Sequence, residues 1–119
     1  MKLLGYKGEK LAAQFLQSKG YEILQSNFTI RGGEIDLIAR HGNVLVFIEV
    51  KTRTNESFGR GEESVNWQKR FRLHRAIERY LDQHAPKSDM DYRVDVLEIE
   101  LNPHTHALKN IEHFEDIEL

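Results

Sequence analysis

Two carboxylates and one ammonium group stand in strongly apolar surroundings near the middle of the chain. Glu49 and Lys51 follow the apolar run 44–48, and Asp36 lies between Ile35 and Leu37. A charge buried in such surroundings costs several kcal/mol unless a partner compensates it. Magnesium and manganese take oxygen ligands and keep several waters for substrate phosphates. The segment therefore favours a magnesium or manganese site.

The spacing of these residues allows them to share one small volume. Side chains alternate along a strand, so Glu49 and Lys51 lie on the same face. If the strand that carries Asp36 is the hairpin neighbour of the strand that carries Glu49, the two carboxylates come side by side. The plainer interpretation is an ion pair between Glu49 and Lys51 at a strand end, because a lone Glu-x-Lys is common by chance.

Glu9 is a third acidic candidate, in the first predicted helix. It is the only charge in a stripe of small and apolar residues that contains Gly5, Ala12, Ala13 and Leu16. Small neighbours allow close backbone approach, so we expect Glu9 to reach the Asp36/Glu49 pair. The alternative is an ordinary exposed glutamate in the first turn, which the helix dipole favours.

Helices and strands must position these residues. Helical spacing of apolar residues predicts a first helix over about 3–19, ending near Gly20. Branched and aromatic residues predict a meander of strands over 21–30, 34–40 and 44–52. A loop is predicted over 53–64, a second helix with a basic side from about 64 to 84, and strands over 92–101 and, more weakly, 107–114.

This order of elements predicts an α/β fold with a mixed central sheet flanked by helices. The chain has 119 residues, 39% hydrophobic and 30% charged, which indicates one domain over 1–119. No apolar run approaches membrane-spanning length. The chain has no cysteine, which excludes thiol chemistry and fits a reducing cytoplasm.

Charge is unevenly distributed along the chain, although the formal net charge is only -2. Residues 51–79 hold eight Lys/Arg against four acids, a local balance of +4. Residues 89–119 hold nine acids against two Lys/Arg, a balance of -7. One surface is therefore expected to face phosphate while the C-terminal part stays acidic. Scattered solvated charge is the alternative.

Several motifs together resemble the YraN family of small bacterial proteins. They are Gly5-x-x-Gly8-Glu9-x-x-Ala12-Ala13, Gly33-Glu34-Ile35-Asp36-Leu37-Ile38-Ala39 and Val46-Phe47-Ile48-Glu49-Val50-Lys51-Thr52-Arg53, continued by Phe58-Gly59, Val65, Lys69 and Arg93-Val94-Asp95-Val96. That family resembles the PD-(D/E)XK nuclease superfamily, most closely the archaeal Holliday junction resolvases. The resemblance covers nearly the whole chain and implies a restriction-endonuclease-like fold with an αβββαβ core.

The resemblance also implies roles for individual residues. Asp36 matches the acidic residue of the first half-motif, Glu49 and Lys51 match the Glu-x-Lys half, and Glu9 matches the acid of the first helix. Ile35 stands where the superfamily's name has proline. The implied function is metal-dependent hydrolysis of phosphodiester bonds, with DNA that is branched or being processed as the expected substrate.

In this hypothesis Asp36, Glu49 and the carbonyl of Val50 hold magnesium or manganese, and Glu9 completes the shell or positions a second ion. Lys51 orients the attacking water and stabilises developing charge. The predicted contacts to the nucleic-acid backbone are Arg53, Lys69, Arg72 and Arg75. A homodimer would suit symmetric cutting of a junction.

Rival interpretations stay open at this stage. The first is a module that keeps the nuclease fold and binds nucleic acid or a repair partner without cutting, and the second is a structural adaptor. Trp67 and Phe71 are expected in the core, with stacking on unpaired bases as the alternative. His104 and His106 are expected on the surface rather than around a transition metal.

Overall fold

The computed structural model describes residues 2–54, 67–84 and 90–119, without the side chains of residues 2–4. The elements are α1 (Lys2–Ser18), β1 (Glu22–Ile30), β2 (Gly33–His41), β3 (Val44–Arg53), α2 (Trp67–His84), β4 (Asp91–Leu101) and β5 (Leu108–Phe114). Every predicted helix and strand is confirmed, including the weakly predicted fifth strand. The predicted loop beyond residue 54, with Phe58, Gly59 and Val65 of the family motifs, lies outside the described residues.

The strands form one mixed sheet in the order β1-β2-β3-β4-β5. β1, β2 and β3 are antiparallel neighbours, as expected for a meander. β4 runs parallel to β3, from Val44 opposite Asp91 to Arg53 opposite Glu100. A parallel neighbour requires a crossover, which here includes α2. The predicted α/β fold with a restriction-endonuclease-like core is confirmed.

The two helices cover opposite faces of the sheet. On the α1 face, Ala12 and Leu16 pack with a cluster of strand residues that includes Leu37, Ile48 and Leu97. On the α2 face, the packed residues are Leu73, Ala76, Ile77 and Tyr80 of the helix and Phe28, Ile35, Ile38, Leu45, Phe47 and Val94 of the strands. Residues 45–49 of β3 are buried on both faces, because both helices cover this central strand.

Two glycines bring the helices close to the strands that carry the candidate residues. A Cβ atom on Gly8 of α1 would overlap the hydroxyl of Thr52 in β3. A Cβ on Gly33 of β2 would lie 2.5 Å from the carbonyl oxygen of Arg72 in α2. Both contacts require a residue without a side chain. The helix backbones therefore pack closely against the ends of the strands where the candidate residues lie.

Neither of the helices that the structure describes is long and apolar enough to span a lipid bilayer.

Candidate functional site

The candidate site lies where β2 and β3 separate. Regular pairing of these strands ends at Leu37 and Ile48. One residue beyond that pair, Asp36 Oδ2 accepts a hydrogen bond of 2.8 Å from the backbone N–H of Val50. A side-chain carboxylate thus takes the place of a backbone carbonyl at the next position of the ladder. This bond fixes Asp36 beside the end of β3 that carries Glu49 and Lys51.

Glu49 is the centre of a compact group of charges. Its side chain is only 8% exposed, and its Oε2 lies 2.8 Å from Lys69 Nζ and 3.8 Å from Lys51 Nζ. Lys69 is a predicted contact to the nucleic-acid backbone, and the structure brings its ammonium group onto Glu49. α2 and β3 are therefore joined at the site by one ion pair. We call Asp36, Glu49, Lys51 and Lys69 the fork cluster.

The pKa of Asp36 is raised to about 7. Burial is the largest cause, and the negative charges of Glu49 and Glu9 add to it. The hydrogen bond from Val50 and the positive charge of Lys69 oppose the increase. Two neighbouring carboxylates in a partly desolvated place resist being ionised together. A cation that bound beside Asp36 would favour its ionised form.

The two lysines of the fork cluster shift in opposite directions. Burial, followed by the hydrogen bond and positive charge of Lys69, lowers the pKa of Lys51 to about 8, although Glu49 opposes the decrease. Burial also lowers the pKa of Lys69, but its hydrogen bonds to Glu49 and Lys51 outweigh burial and raise it. Lys69 is therefore a fixed positive charge, whereas Lys51 is the lysine that releases its proton more readily.

Glu9 faces the fork cluster from α1. The close contact between Gly8 and Thr52 brings this turn of the helix onto the end of β3. Burial raises the pKa of Glu9, its hydrogen bond to Asn27 lowers it, and the negative charges of Glu49 and Glu34 raise it further. Among the described residues, no three Asp, Glu or His side chains are grouped closely enough to hold a metal ion. Glu9 is thus coupled to Glu49 by charge without completing such a group.

The donor chemistry of the fork cluster nevertheless fits a hard divalent cation. Magnesium is commonly held by one or two carboxylates, with waters and substrate phosphates as the other ligands. Asp36 and Glu49 supply two carboxylates, and burial together with the neighbouring charge of Glu49 raises the pKa of Asp36. The residues that would hold the ion are Asp36 and Glu49, with the carbonyl of Val50 as a further oxygen.

The predicted phosphate contacts other than Lys69 lie around the cluster rather than in it. Arg53 ends β3 close enough to Lys51 to lower the pKa of that lysine. Arg72 Nη2 donates a hydrogen bond of 3.0 Å to Glu34 Oε1. The guanidinium carbon of Arg75 lies 3.5 Å from the Cβ position of Gly32. Arg72 and Arg75 are exposed and Arg53 is half-buried, so all three can be approached from solvent.

The expectation that Trp67 and Phe71 belong to the core is wrong. Trp67 is 73% exposed and Phe71 is 52% exposed. The core-facing stripe of α2 is Leu73, Ala76, Ile77 and Tyr80, and the two aromatic residues begin the helix on its other side. His104 and His106 are exposed, as expected.

Sequence reasoning missed a second buried carboxylate, Asp95 of β4. Its side chain is fully buried and accepts hydrogen bonds from Arg93 Nε and from the N–H of Asp116, both at 3.0 Å. His113 Nε2 lies 2.7 Å from the other oxygen. The rule that selected Asp36, an acid within an apolar strand, also applies to Asp95 and to the fully buried Glu98, which pairs in register with Lys51.

A helix, a three-strand meander, a second helix and a parallel fourth strand, with Asp36 and Glu49-x-Lys51 where the second and third strands separate, define a restriction-endonuclease-like α/β protein. The chain matches the model of the family described as "Uncharacterised protein family UPF0102" over residues 8–99. It therefore belongs to the UPF0102 family, which confirms the resemblance to YraN proteins.

Curated relatives extend this similarity over most of the chain. A UPF0102 protein of Carboxydothermus hydrogenoformans is 47% identical over 97 residues, which cover 82% of this chain and 81% of the relative. A UPF0102 protein of Alkaliphilus metalliredigens is 43% identical over 82% of this chain and 85% of its own length. A UPF0102 protein of Caldanaerobacter subterraneus subsp. tengcongensis is 42% identical over 94% of this chain and 91% of its own length.

Proposed function

We propose that this protein is a magnesium- or manganese-dependent endonuclease that hydrolyses phosphodiester bonds in nucleic acid, with branched or partly processed DNA as the substrate. The observation that carries the proposal is the fork cluster. Two carboxylates and two lysines meet at the end of the central strand. The pKa of one carboxylate, Asp36, is raised to about 7, and the pKa of one lysine, Lys51, is lowered to about 8. Such shifts are typical of sites that bind ions or move protons.

In the proposed reaction, Asp36 and Glu49 hold the metal with the carbonyl of Val50. When bound, magnesium makes a water molecule more acidic and compensates negative charge on the phosphate. Lys51 orients the attacking water, a role that suits an amine with a pKa of about 8 because it can exchange its proton near neutral pH. Lys69 stays charged and stabilises the charge that develops on the phosphate.

The substrate backbone would be held by the basic residues around the cluster. Arg53 lies at the end of β3, and Arg72 and Arg75 lie along α2. Contacts of this kind are electrostatic, so we expect binding to weaken as salt rises. Glu9 would position a metal-bound water or a second ion from the α1 side. Two copies of the chain would be needed to cut both strands of a symmetric junction.

One observation favours a second candidate function. The ammonium of Lys69 lies 2.8 Å from Glu49 Oε2, so a cation already occupies one side of this carboxylate. A fold that supplies its own positive charge in this way would suit a module that binds nucleic acid, or a repair partner, without cutting. In either case we expect it to act in the cytoplasm, with which a chain without cysteine is compatible.

A cleavage assay tests the proposal and separates it from the rival. Labelled four-way junction, flap, single-stranded and linear duplex DNA are incubated with magnesium or manganese, and products are resolved on a denaturing gel. We expect metal-dependent cutting by the wild type and none by a Glu49→Ala/Lys51→Ala variant with an unchanged circular dichroism spectrum. Binding of these substrates without cutting would favour the non-catalytic module and contradict the nuclease.

A further inference from the structure

The beginning of α2 presents two aromatic rings to solvent. Trp67 is 73% exposed and Phe71 is 52% exposed. Their ring centroids are 6.1 Å apart and the ring planes meet at 75°. Residues four apart on a helix lie on the same side, so the rings form one continuous apolar surface. The hydrolytic step proposed above makes no use of this surface.

The segment of α2 that carries the two rings is basic. Residues 67–76 contain Lys69, Arg70, Arg72 and Arg75 and no acidic residue. The guanidinium carbon of Arg75 lies 5.8 Å from the centroid of the Phe71 ring, within the range of a cation–π interaction. A groove of about 370 Å³ runs beside the rings and is lined by Trp67, Arg70, Phe71, His74 and Leu119. The surface thus combines ring faces with positive charge.

This surface is anchored next to the fork cluster. Lys69 lies between Trp67 and Phe71 in the sequence, and its ammonium contacts Glu49 at 2.8 Å. Side chains two residues apart point to nearly opposite sides of a helix, so the rings lie on the far side of α2 from Glu49. A helix with its side chains is about 10 Å wide. The rings are therefore about one helix width from the fork cluster, a distance that a strand bound at the cluster can cover within a few nucleotides.

We propose that Trp67 and Phe71 stack on unpaired bases of the bound strand, so that the substrate class is nucleic acid with single-stranded bases beside the phosphate to be cut. The inference rests on the proposed function for its position next to a hydrolytic site. Bases inside a continuous duplex are already stacked on each other and offer no free face, whereas bases at a junction, flap or gap do. Stacking on aromatic side chains beside basic residues is a common way to bind single strands.

The charge around the rings favours nucleic acid over an apolar protein partner. An apolar partner that covered Trp67 and Phe71 would also remove Arg70 and Arg75 from water without supplying negative charge, which is costly. A single strand brings a phosphate with each base. The same arginines then become favourable contacts.

Trp67 is the single tryptophan of the chain, so its fluorescence reports on this surface directly. The wild-type protein, in EDTA to prevent hydrolysis, is titrated with a single-stranded decamer and with a blunt duplex of the same sequence. We expect saturable quenching by the single strand and little by the duplex. Phe71→Leu should weaken binding of the single strand about tenfold by fluorescence anisotropy and leave duplex binding unchanged. Leu108→Ala, which changes an exposed apolar residue on β5, is the matched control and should change neither.

Three results would overturn the inference. The first is equal quenching by both oligonucleotides, and the second is an unchanged single-strand affinity of Phe71→Leu. The third is a change in sedimentation of the protein without nucleic acid when Trp67 is replaced by leucine, which would identify a protein interface. Failure of the stacking inference is distinguishable from failure of the proposed nuclease function. Quenching by single strands without metal-dependent cutting would reject the nuclease only, and equal cutting by wild type and Trp67→Leu without selective quenching would reject the stacking only.

Discussion

Two carboxylates inside the sheet, Asp36 and Asp95, differ in the number of their hydrogen-bond donors. Asp95 is fully buried and interacts with Arg93, His113 and the N–H of Asp116. Burial raises the pKa of Asp95, but these interactions outweigh burial and lower it. Asp36 has one backbone donor among the described residues, and its pKa rises to about 7. Burial alone therefore does not decide the pKa of a carboxylate; the balance between burial, neighbouring charges and hydrogen-bond donors decides it.

The surroundings of Asp95 indicate a structural role. Arg93 Nη2 also donates a hydrogen bond of 2.6 Å to the hydroxyl of Tyr21, and the Tyr21 ring stacks on His41 with centroids 4.1 Å apart. These contacts join β4 and β5 to the start of β1 and to the end of β2. Asp95 thus stabilises the arrangement of strands, whereas the Asp36 carboxylate accepts a backbone hydrogen bond from Val50 and keeps a raised pKa.

The largest expected effect comes from Asp36→Asn. We expect the cleavage rate to fall by at least about 100-fold, because a carboxylate proposed to hold the metal is lost. The melting temperature should not decrease, since burial already favours the neutral form of Asp36 and the amide oxygen can still accept the Val50 hydrogen bond. Cleavage kinetics and thermal melting on the same preparation test this. Full activity of the variant would remove Asp36 from the proposed site.

Asp95→Asn should show the opposite pattern. It removes the fully buried charge that accepts hydrogen bonds from the half-buried guanidinium of Arg93 and from the N–H of Asp116, which costs on the order of 2–4 kcal/mol of unfolding free energy. The cleavage rate per folded molecule should stay the same. Urea denaturation followed by circular dichroism measures the loss. An unchanged midpoint, or a loss of activity in fully folded protein, would contradict the structural role of Asp95.

Gly8→Ala should disturb the fork cluster and leave the contacts of Asp95 unchanged. The added methyl group would overlap Thr52, so we expect a loss of about 1–3 kcal/mol in stability and slower cleavage. Gly5→Ala is the matched control, because nothing lies within 4 Å of its Cβ position. Alanine favours a helix over glycine, so Gly5→Ala should leave stability equal or raise it by up to about 1 kcal/mol. Equal effects of the two changes would contradict the close approach of α1 to β3.

The smallest expected effect is a pH dependence that belongs to Asp95. Its folded pKa is below the ordinary value of 3.8, so its contribution to stability is fully present above that value and is lost as pH falls through the lower folded pKa. The stability difference between wild type and Asp95→Asn should therefore be constant above about pH 5 and shrink at lower pH. Urea denaturation at several pH values between 2 and 6 measures it. A difference that grew in acid would contradict the lowered pKa.

The order of elements was predictable because it depends on local patterns. The alternation of apolar residues, the apolar run 44–48 and the turns at Gly32 and Gly42 specify strands and reversals within a few neighbouring residues. The meander also follows, since hairpin neighbours pair antiparallel. Asp36 and Glu49 were predictable as neighbours for the same reason, because their strands are joined by a short turn.

The remaining features depend on contacts between distant residues. Lys69 reaches Glu49 only because α2 crosses over to the sheet, and 19 residues separate the two in the sequence. Trp67 and Phe71 look like core residues by type, yet the orientation of α2 leaves them in solvent. The apolar pattern alone does not distinguish Asp36 from Asp95, since both are acids within apolar strands; the resemblance to known motifs singled out Asp36.

The sequence by itself determined the strands, the helices, the family and the three central residues of the candidate site, because each follows from local periodicity or from motifs in order. Tertiary structure decided which buried carboxylate is saturated with donors and which is not, because the donors come from other elements. The N–H of Asp116 and the ring of His113 reach Asp95 from the C-terminal part of the chain. No donors from that part of the chain reach Asp36 among the described residues, and burial, followed by the negative charge of Glu49, raises its pKa.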